Sequence, residues 1–343
     1  MGSWKPKDPN SIGVAVLGAG RMGRTHVRNL ANVPNANVVV VADPVAAVAE
    51  AGRDLAQARR ASADPMEAIH DPDVEVVVIV TPTNTHAALI DAALRAGKAV
   101  WTEKPIAQEL SDTRRIVELW RETGLPVQVG FMRRFDPGYA RAKELVASGD
   151  LGRIEQFHAY SRDTFPPPLE FLLNAGGSFL DMSVHDLDLA RFLVGEVEEV
   201  HAWASVLYDD RFAKADDWDT SVAMLKFRNG ALGVVETARH SEWGYDIRAE
   251  VMGSVGKVSV DAGQRTPATF TRRNGFEGDL IVEFAERFEV AFRREIEAFF
   301  ADLAAGRTPG PGPDDAYETL RLAVACTRSW KEGRPIRLDE VTG

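Results

Sequence analysis

The junction where Gly13-Val14-Ala15-Val16-Leu17 runs into Gly18-Ala19-Gly20-Arg21-Met22-Gly23 constrains this chain more than any other stretch. An apolar strand that ends in glycines spaced this way turns sharply into a helix. The first glycine permits the tight turn, the second lets backbone approach a pyrophosphate, and the third lets helix pack closely on strand. The helix opening at Arg21 and Met22 offers unpaired N–H groups and a partial positive charge to phosphates. A ligand-free turn would carry the same glycines, so a second mark is needed, and Asp43 supplies it. Asp43 closes the second apolar run, Val38–Ala42, twenty residues beyond Gly23. A carboxylate there accepts hydrogen bonds from a ribose 2′-hydroxyl. A 2′-phosphate would meet like charge, and no Arg or Lys follows in Pro44–Ala47 to offset it. NAD is therefore the expected cofactor, with NADP disfavoured.

The alternation continues. Val76–Val80, Ala99–Trp101 and Val127–Val129 read as further strands, apolar on both faces as in a parallel sheet covered on both sides. Helical spacing separates them over His26–Ala31, Val45–Ala58, His86–Ala96 and Ser111–Arg121. Past Arg133 the pattern changes. A helix is expected over Pro137–Ser148, a strand over Ile154–Arg162, a Pro-rich loop at Phe165–Leu169 and one helix over Ser178–Val194. Strands follow at Val200–Tyr208, Thr220–Phe227, Ala231–Thr237, Ile247–Met252 and Lys257–Val260, several joined by hairpin turns such as Asn229-Gly230. Helices over Phe284–Ala305 and Asp314–Lys331 close the chain. The expected fold is an α/β doubly wound parallel sheet over 11–132, then an α+β domain over 133–343 with an open, mainly antiparallel sheet. Residues 1–10 read as a flexible arm.

Composition narrows the function classes. Of 343 residues, 40 are Lys or Arg and 51 Asp or Glu, a net charge of −11 without a basic tract. That is a poor match for a phosphate backbone, so nucleic acid is not an expected partner. No apolar run approaches the length of a membrane span, and MGSWKPKDPN lacks the apolar core of a secretory signal. A cytoplasmic protein is expected. The single cysteine, Cys326, excludes an intramolecular disulfide and multi-cysteine metal sites, and its apolar neighbours read as core.

Three further stretches carry chemistry. Thr81-Pro82-Thr83-Asn84-Thr85-His86 and Glu103-Lys104-Pro105 each follow a strand at the carboxyl edge, where loops line the ligand crevice of such sheets. Thr81, Asn84 and His86 can touch a cofactor, or Thr and Asn can cap the next helix. Lys104 can point into the cleft or stay solvated. The third stretch is Gly176-Gly177-Ser178-Phe179-Leu180-Asp181-Met182-Ser183-Val184-His185-Asp186-Leu187-Asp188. In one continuous helix Asp181 and His185 are i and i+4 and share a face. Such a pair can move a proton near neutral pH, merely support the helix, or help ligate zinc. No second His cluster supports zinc, and no metal is expected.

These marks jointly resemble the sugar and cyclitol dehydrogenases related to glucose–fructose oxidoreductase and inositol dehydrogenase. The similarity runs over nearly the whole chain. It is nearest to the inositol 2-dehydrogenases through Val129-Gly130-Phe131-Met132-Arg133-Arg134-Phe135-Asp136-Pro137, Ser161-Arg162-Asp163 and Gly244-Tyr245-Asp246-Ile247-Arg248. Trp101-Thr102 before Glu103, and Thr164 after Asp163, depart from the family's usual residues. The resemblance implies NAD-dependent oxidation of a secondary ring hydroxyl, with myo-inositol first and scyllo-inositol, glucose or another aldose as alternatives. A non-catalytic NAD-binding sensor on the same fold is the rival from another class. Lys104 matches the cleft lysine, Asp181 the substrate-site aspartate and His185 the proton-transfer histidine. Glu103 joins the cofactor contacts, while Arg133, Arg162, Asp163 and Tyr245 join the polyol contacts. Whether Asp181 orients His185 or binds a hydroxyl stays open. A homotetramer or homodimer is implied, with Trp203, Trp218, Phe227 and Trp243 as candidate interface aromatics.

Overall fold

In the computed structural model, which describes residues 4–342, the apolar runs of the first half become a six-stranded parallel sheet. Its strands are β1 (Ile12–Leu17), β2 (Ala36–Ala42), β3 (Arg60–Ser62), β4 (Val76–Ile79), β5 (Ala99–Glu103) and β6 (Val127–Gly130), in the order β3-β2-β1-β4-β5-β6. The connections are α1 (Arg21–Leu30), α2 (Ala46–Ala56), α3 (Pro65–His70), α4 (Thr83–Arg95) and α5 (Leu110–Thr123). Every residue of β1 and β4 is buried, as a sheet covered on both faces requires. The order reverses between β1 and β4, and the loops leaving their carboxyl ends diverge there to open a crevice. α1 and α4 begin three to five residues earlier than apolar spacing alone indicates. The first turn of α4, Thr83-Asn84-Thr85, is polar, and that of α1 turns only Met22 and Gly23 inward, too little to register as an apolar stripe.

The first unit does not end where the strands do. Among the described residues it comprises Trp4 to Phe135 and, again, Val290–Glu318. Ile296, Phe299, Phe300 and Leu303 of this returning stretch complete the core around Val14, Val16, Val27 and Trp101. The expectation of a second domain running unbroken from 133 to 343 is corrected accordingly. The N-terminal segment is also corrected: from Trp4 onward it is no loose arm. Trp4 packs on the same core, Lys7 N–H donates to Glu75 Oε1 at 2.6 Å, and Lys7 Nζ donates to the Pro72 carbonyl at 2.8 Å. The remainder of that arm, residues 1–3, lies outside the described residues.

The second unit, Asp136–Glu289 with Thr319–Thr342, opens with α6 (Pro137–Ala147), whose N-cap Asp136 accepts from the Gly138 and Tyr139 N–H groups. Next come β7 (Ile154–Arg162), α7 (Leu169–Leu172), α8 (Ser178–Asp181), α9 (Val184–Leu193), β8 (Val197–Ser205) and α10 (Arg211–Lys214). β9 (Thr220–Phe227), β10 (Leu232–Ala238), β11 (Asp246–Gly253), β12 (Lys257–Val260) and an exposed hairpin, β13 (Thr269–Arg272) with β14 (Gly275–Gly278), follow. The chain closes with α11 (Phe284–Arg287), α12 (Glu289–Ala304), α13 (Pro313–Glu332) and β15 (Ile336–Arg337). The large sheet has the order β12-β11-β7-β10-β9-β8-β15; only β7 and β10 pair in parallel. α9 packs on β7 and β10, and β9 alternates buried with exposed residues, so one sheet face is core and the other bare. Trp218 and Phe227, expected as possible interface aromatics, are buried core, while Trp203 and Trp243 are half exposed.

Candidate active site

Within the first unit the glycine loop divides by function. Gly18 sits at φ +92°, and a Cβ there would fall 2.6 Å from the Val80 carbonyl oxygen. A Cβ on Gly23 would fall 2.3 Å from the Gly18 oxygen. Both are glycine for the fold's own sake. Gly20 is different: as N-cap of α1 it has φ −65°, and a Cβ would meet nothing within 4 Å. Neither strain nor packing asks for glycine there, so what the missing side chain serves is close approach from outside. α1 has no side-chain cap and no acidic residue in its first turn, leaving its N–H groups to an anion. Asp43 stands at the rim, its Oδ2 accepting from Ala19 N–H and its Oδ1 from Val45 N–H, each at 3.0 Å. These residues fit a dinucleotide, with phosphates on the loop and ribose at Asp43.

The neighbouring loops are tied to one another. α4 starts at Thr83 with Pro82 as N-cap and no side-chain cap, so the capping expected of Thr or Asn does not occur. Thr81 and Thr85 hydroxyls lie 2.6 Å apart, and Thr85 Oγ1 donates to the Pro82 carbonyl. Asn84 is exposed on the first turn. His86 is buried, with Nδ1 2.8 Å from the Pro105 oxygen and Nε2 2.8 Å from the Thr81 oxygen. Its ring joins the loops after β4 and β5. Glu103 ends β5; its Oε1 accepts from His26 Nε2 at 2.8 Å and its Oε2 from Lys104 N–H at 3.2 Å. Burial pushes the Glu103 carboxyl up, but the His26 hydrogen bond and the charges of His26, Lys104 and His86 outweigh it and hold it below the ordinary range. Arg133 is buried in the short turn Met132–Phe135 that follows β6.

In the second unit the continuous helix expected over Ser178–Val194 is broken. α8 ends at Asp181, Met182-Ser183 turn, and α9 carries His185 in its first turn. Asp181 and His185 are therefore not two points on one helix face. A residue with no sequence signal organises the place. Arg239, just past β10 and 4% exposed, donates from Nη2 to Asp181 Oδ2 at 2.7 Å and from Nη1 to Asp163 Oδ2 at 3.1 Å. Burial disfavours its charge, yet Asp181 and Asp163 more than restore it, so its pKa stands above the usual arginine value. β10 lies in register beside β7, which is what brings residue 239 to residue 163. Below, Ser161 Oγ donates to Asp186 at 2.7 and 2.8 Å, and Ser178 binds Asp217 through its N–H and hydroxyl. One guanidinium thus bridges two carboxylates, each of whose oxygens can accept more than one hydrogen bond. Arg162 turns elsewhere, donating to Asp246 Oδ2 at 2.6 Å and lying over Tyr160 and Trp243. Tyr245 N–H donates to the Ile281 carbonyl at 2.7 Å, and its ring meets Phe288 edge-on. Among the described residues no group of three or more His, Cys, Asp or Glu could hold a metal ion.

Comparison with known proteins agrees with both halves. Residues 12–131 match the oxidoreductase family's NAD-binding Rossmann fold, and residues 143–338 match that family's C-terminal alpha/beta domain. The chain is 38% identical over 333 residues to the scyllo-inositol 2-dehydrogenase (NAD(+)) of Bacillus subtilis, covering 96% of this chain and 97% of that protein. It is 36% identical over 332 residues to the myo-inositol 2-dehydrogenase of Thermotoga maritima, covering 96% and 99%. Among solved structures, the scyllo-inositol dehydrogenase of Lactobacillus casei with bound NAD(H) and scyllo-inositol superposes with a TM-score of 0.90 at 27% identity, covering 96% and 99%.

Proposed function

Because the chain belongs to the oxidoreductase family that joins an NAD-binding Rossmann fold to a C-terminal alpha/beta domain, we propose that it is an NAD-dependent inositol 2-dehydrogenase. The reaction takes a secondary ring alcohol to the ketone. What carries this reading is similarity to two inositol 2-dehydrogenases along nearly the whole chain, with the glycine loop and Lys104 inside one matched span and Asp181 and His185 inside the other. The sensor alternative has no use for the second of these spans' acid and imidazole.

NAD, when bound, supplies the hydride acceptor, and the protein supplies position and field. His185 takes the hydroxyl proton as the C–H bond breaks. Lys104 donates a hydrogen bond to the developing alkoxide, a preorganised charge worth a few kcal/mol of barrier, on the order of 3. Asp163 and Asp181, held by Arg239, accept from the hydroxyls that flank the reacting carbon, and Tyr245 and Arg133 add donors. Asp181 is thereby a hydroxyl acceptor first, since its Oδ2 is already committed to Arg239. Arg162 acts at one remove, through Asp246. With Asp43 at the ribose, NAD is preferred to NADP.

The protein also assembles with copies of itself. Trp203 pairs across strands with Val222, and Met224 and Leu232 stand exposed on the same bare sheet face. A steady-state panel of myo-inositol, scyllo-inositol, glucose and other aldoses with NAD, followed by NADH absorbance, tests the function. Turnover of either inositol at least about tenfold above the aldoses is expected; NADH binding with no polyol oxidised would return the sensor reading.

A further inference from the structure

One face of the first sheet holds a polar cluster that the proposed reaction does not use. β5 and β6 pair Trp101 with Gln128 and Glu103 with Gly130, so alternation aims these four the same way. His26 of α1 lies over Trp101 with ring centroids 4.4 Å apart, and Phe292 of α12 meets the His26 ring edge-on at 5.8 Å. One turn along α12 stands Glu295, fully buried, with neither carboxyl oxygen hydrogen-bonded. Gln128 Nε2 donates to the Glu295 backbone carbonyl at 3.1 Å. Trp101 Nε1, Gln128 Oε1 and His26 Nδ1 are likewise buried without partners. A Cβ on Gly130 would come within 3.3 Å of Glu103 Oε2, so the glycine makes room for that carboxylate.

Two buried carboxyls that sense each other's charge do not both ionise cheaply. Glu103 has the donors, His26 and the Lys104 N–H. Glu295 has none, and burial together with the Glu103 charge holds its carboxyl well above the ordinary range. The charged and titratable groups facing this place are His26 from α1, His86 from α4, Glu103 from the end of β5, Lys104 just after it, and Glu295 from α12; β6 contributes neutral Gln128. A carboxyl kept here lowers stability relative to a neutral side chain, which points to a use.

We propose that Glu295 is a positioning residue acting through Glu103: as a neutral carboxyl it leaves Glu103 the cluster's one anion, free to pin the His26 ring and the backbone N–H of Lys104. Ionisation of Glu295, its proton lost to solvent as the pH rises, puts a second negative charge beside the Glu103 carboxylate, and the repulsion loosens the base from which Lys104 extends. This role presupposes that Lys104 serves the dehydrogenase reaction. A carboxyl raised by folding contributes its stability in full below the ordinary glutamate value and loses it as the pH climbs toward the folded one.

E295Q fixes the neutral form. Its Tm is expected to equal that of the wild type near about pH 4 and to exceed it by about 2 °C or more at about pH 9. The alkaline decline of kcat/KM for inositol is expected to move up by about half a pH unit or more. If the wild type oxidises no polyol, the dehydrogenase reading has failed on its own, and the same shift is read on the NADH Kd. E295M, neutral by other means, must repeat the Tm trend and stands in should E295Q not fold. A Tm difference that stays flat with pH overturns the neutral carboxyl. A growing difference with superimposable alkaline limbs overturns the link to Lys104 and leaves Glu295 structural.

Discussion

Asp181 and His185 draw the eye in the sequence as a carboxylate and an imidazole four residues apart after a double glycine, but the single helix expected to carry both is broken between them. Arg239 does not, because its meaning comes from strand register: only when β10 lies beside β7 does residue 239 reach Asp163. Arg239→Met should strand two carboxylates, cutting kcat/KM for inositol by about a hundredfold or more while the NADH Kd holds within about twofold. Equal losses in both would show that the clamp merely supports the fold. His185→Ala should lower kcat by at least about a hundredfold with NADH binding intact; near-normal turnover would remove it from proton transfer. The place of His86 is likewise set by tertiary contacts. An exposed-looking His in a crevice loop turns inward to bridge two carbonyls, a preference that no local spacing reveals.

At the scale of elements, strands with apolar faces on both sides announce themselves, and so does the strand-to-helix turn they feed. The break between α8 and α9 does not, since Met182 and Ser183 are acceptable helix residues and no glycine or proline marks the interruption. The glycine loop offers a sharper test of fold against function. Gly23→Ala forces a Cβ against the Gly18 carbonyl and should lower Tm by several degrees, about 4 °C or more. Gly20→Ala meets open space, so Tm should hold within about 1 °C while NAD affinity falls about tenfold or more. Equal melting losses in the two variants, or undiminished NAD binding in Gly20→Ala, would contradict the division.

For the whole molecule, the bare face of the second sheet predicts self-association. Light scattering at micromolar concentration should give a multiple of the monomer mass, and Trp203→Glu with Met224→Glu should shift it to monomer. A wild-type monomer would refute the assembly. Acid stability follows from Asp246. Burial pushes its carboxyl up, but hydrogen bonds from Arg248, Trp243 and Arg162 prevail and hold it below the usual aspartate value. Its contribution is present above that usual value and is lost as pH falls through the lowered one. The Tm deficit of Asp246→Asn should thus be largest near neutrality and narrow at about pH 4 and below; a deficit independent of pH would discount the ion pair. The return of Val290–Glu318 to the first unit has a consequence for biosynthesis. A ribosome emits the six strands long before Phe299, Phe300 and Leu303, so the nascent nucleotide-binding half waits, its hydrophobic filling incomplete, until the inserted half has been made. A gene truncated after the sixth strand would encode an aggregating fragment instead of a minimal NAD-binding module.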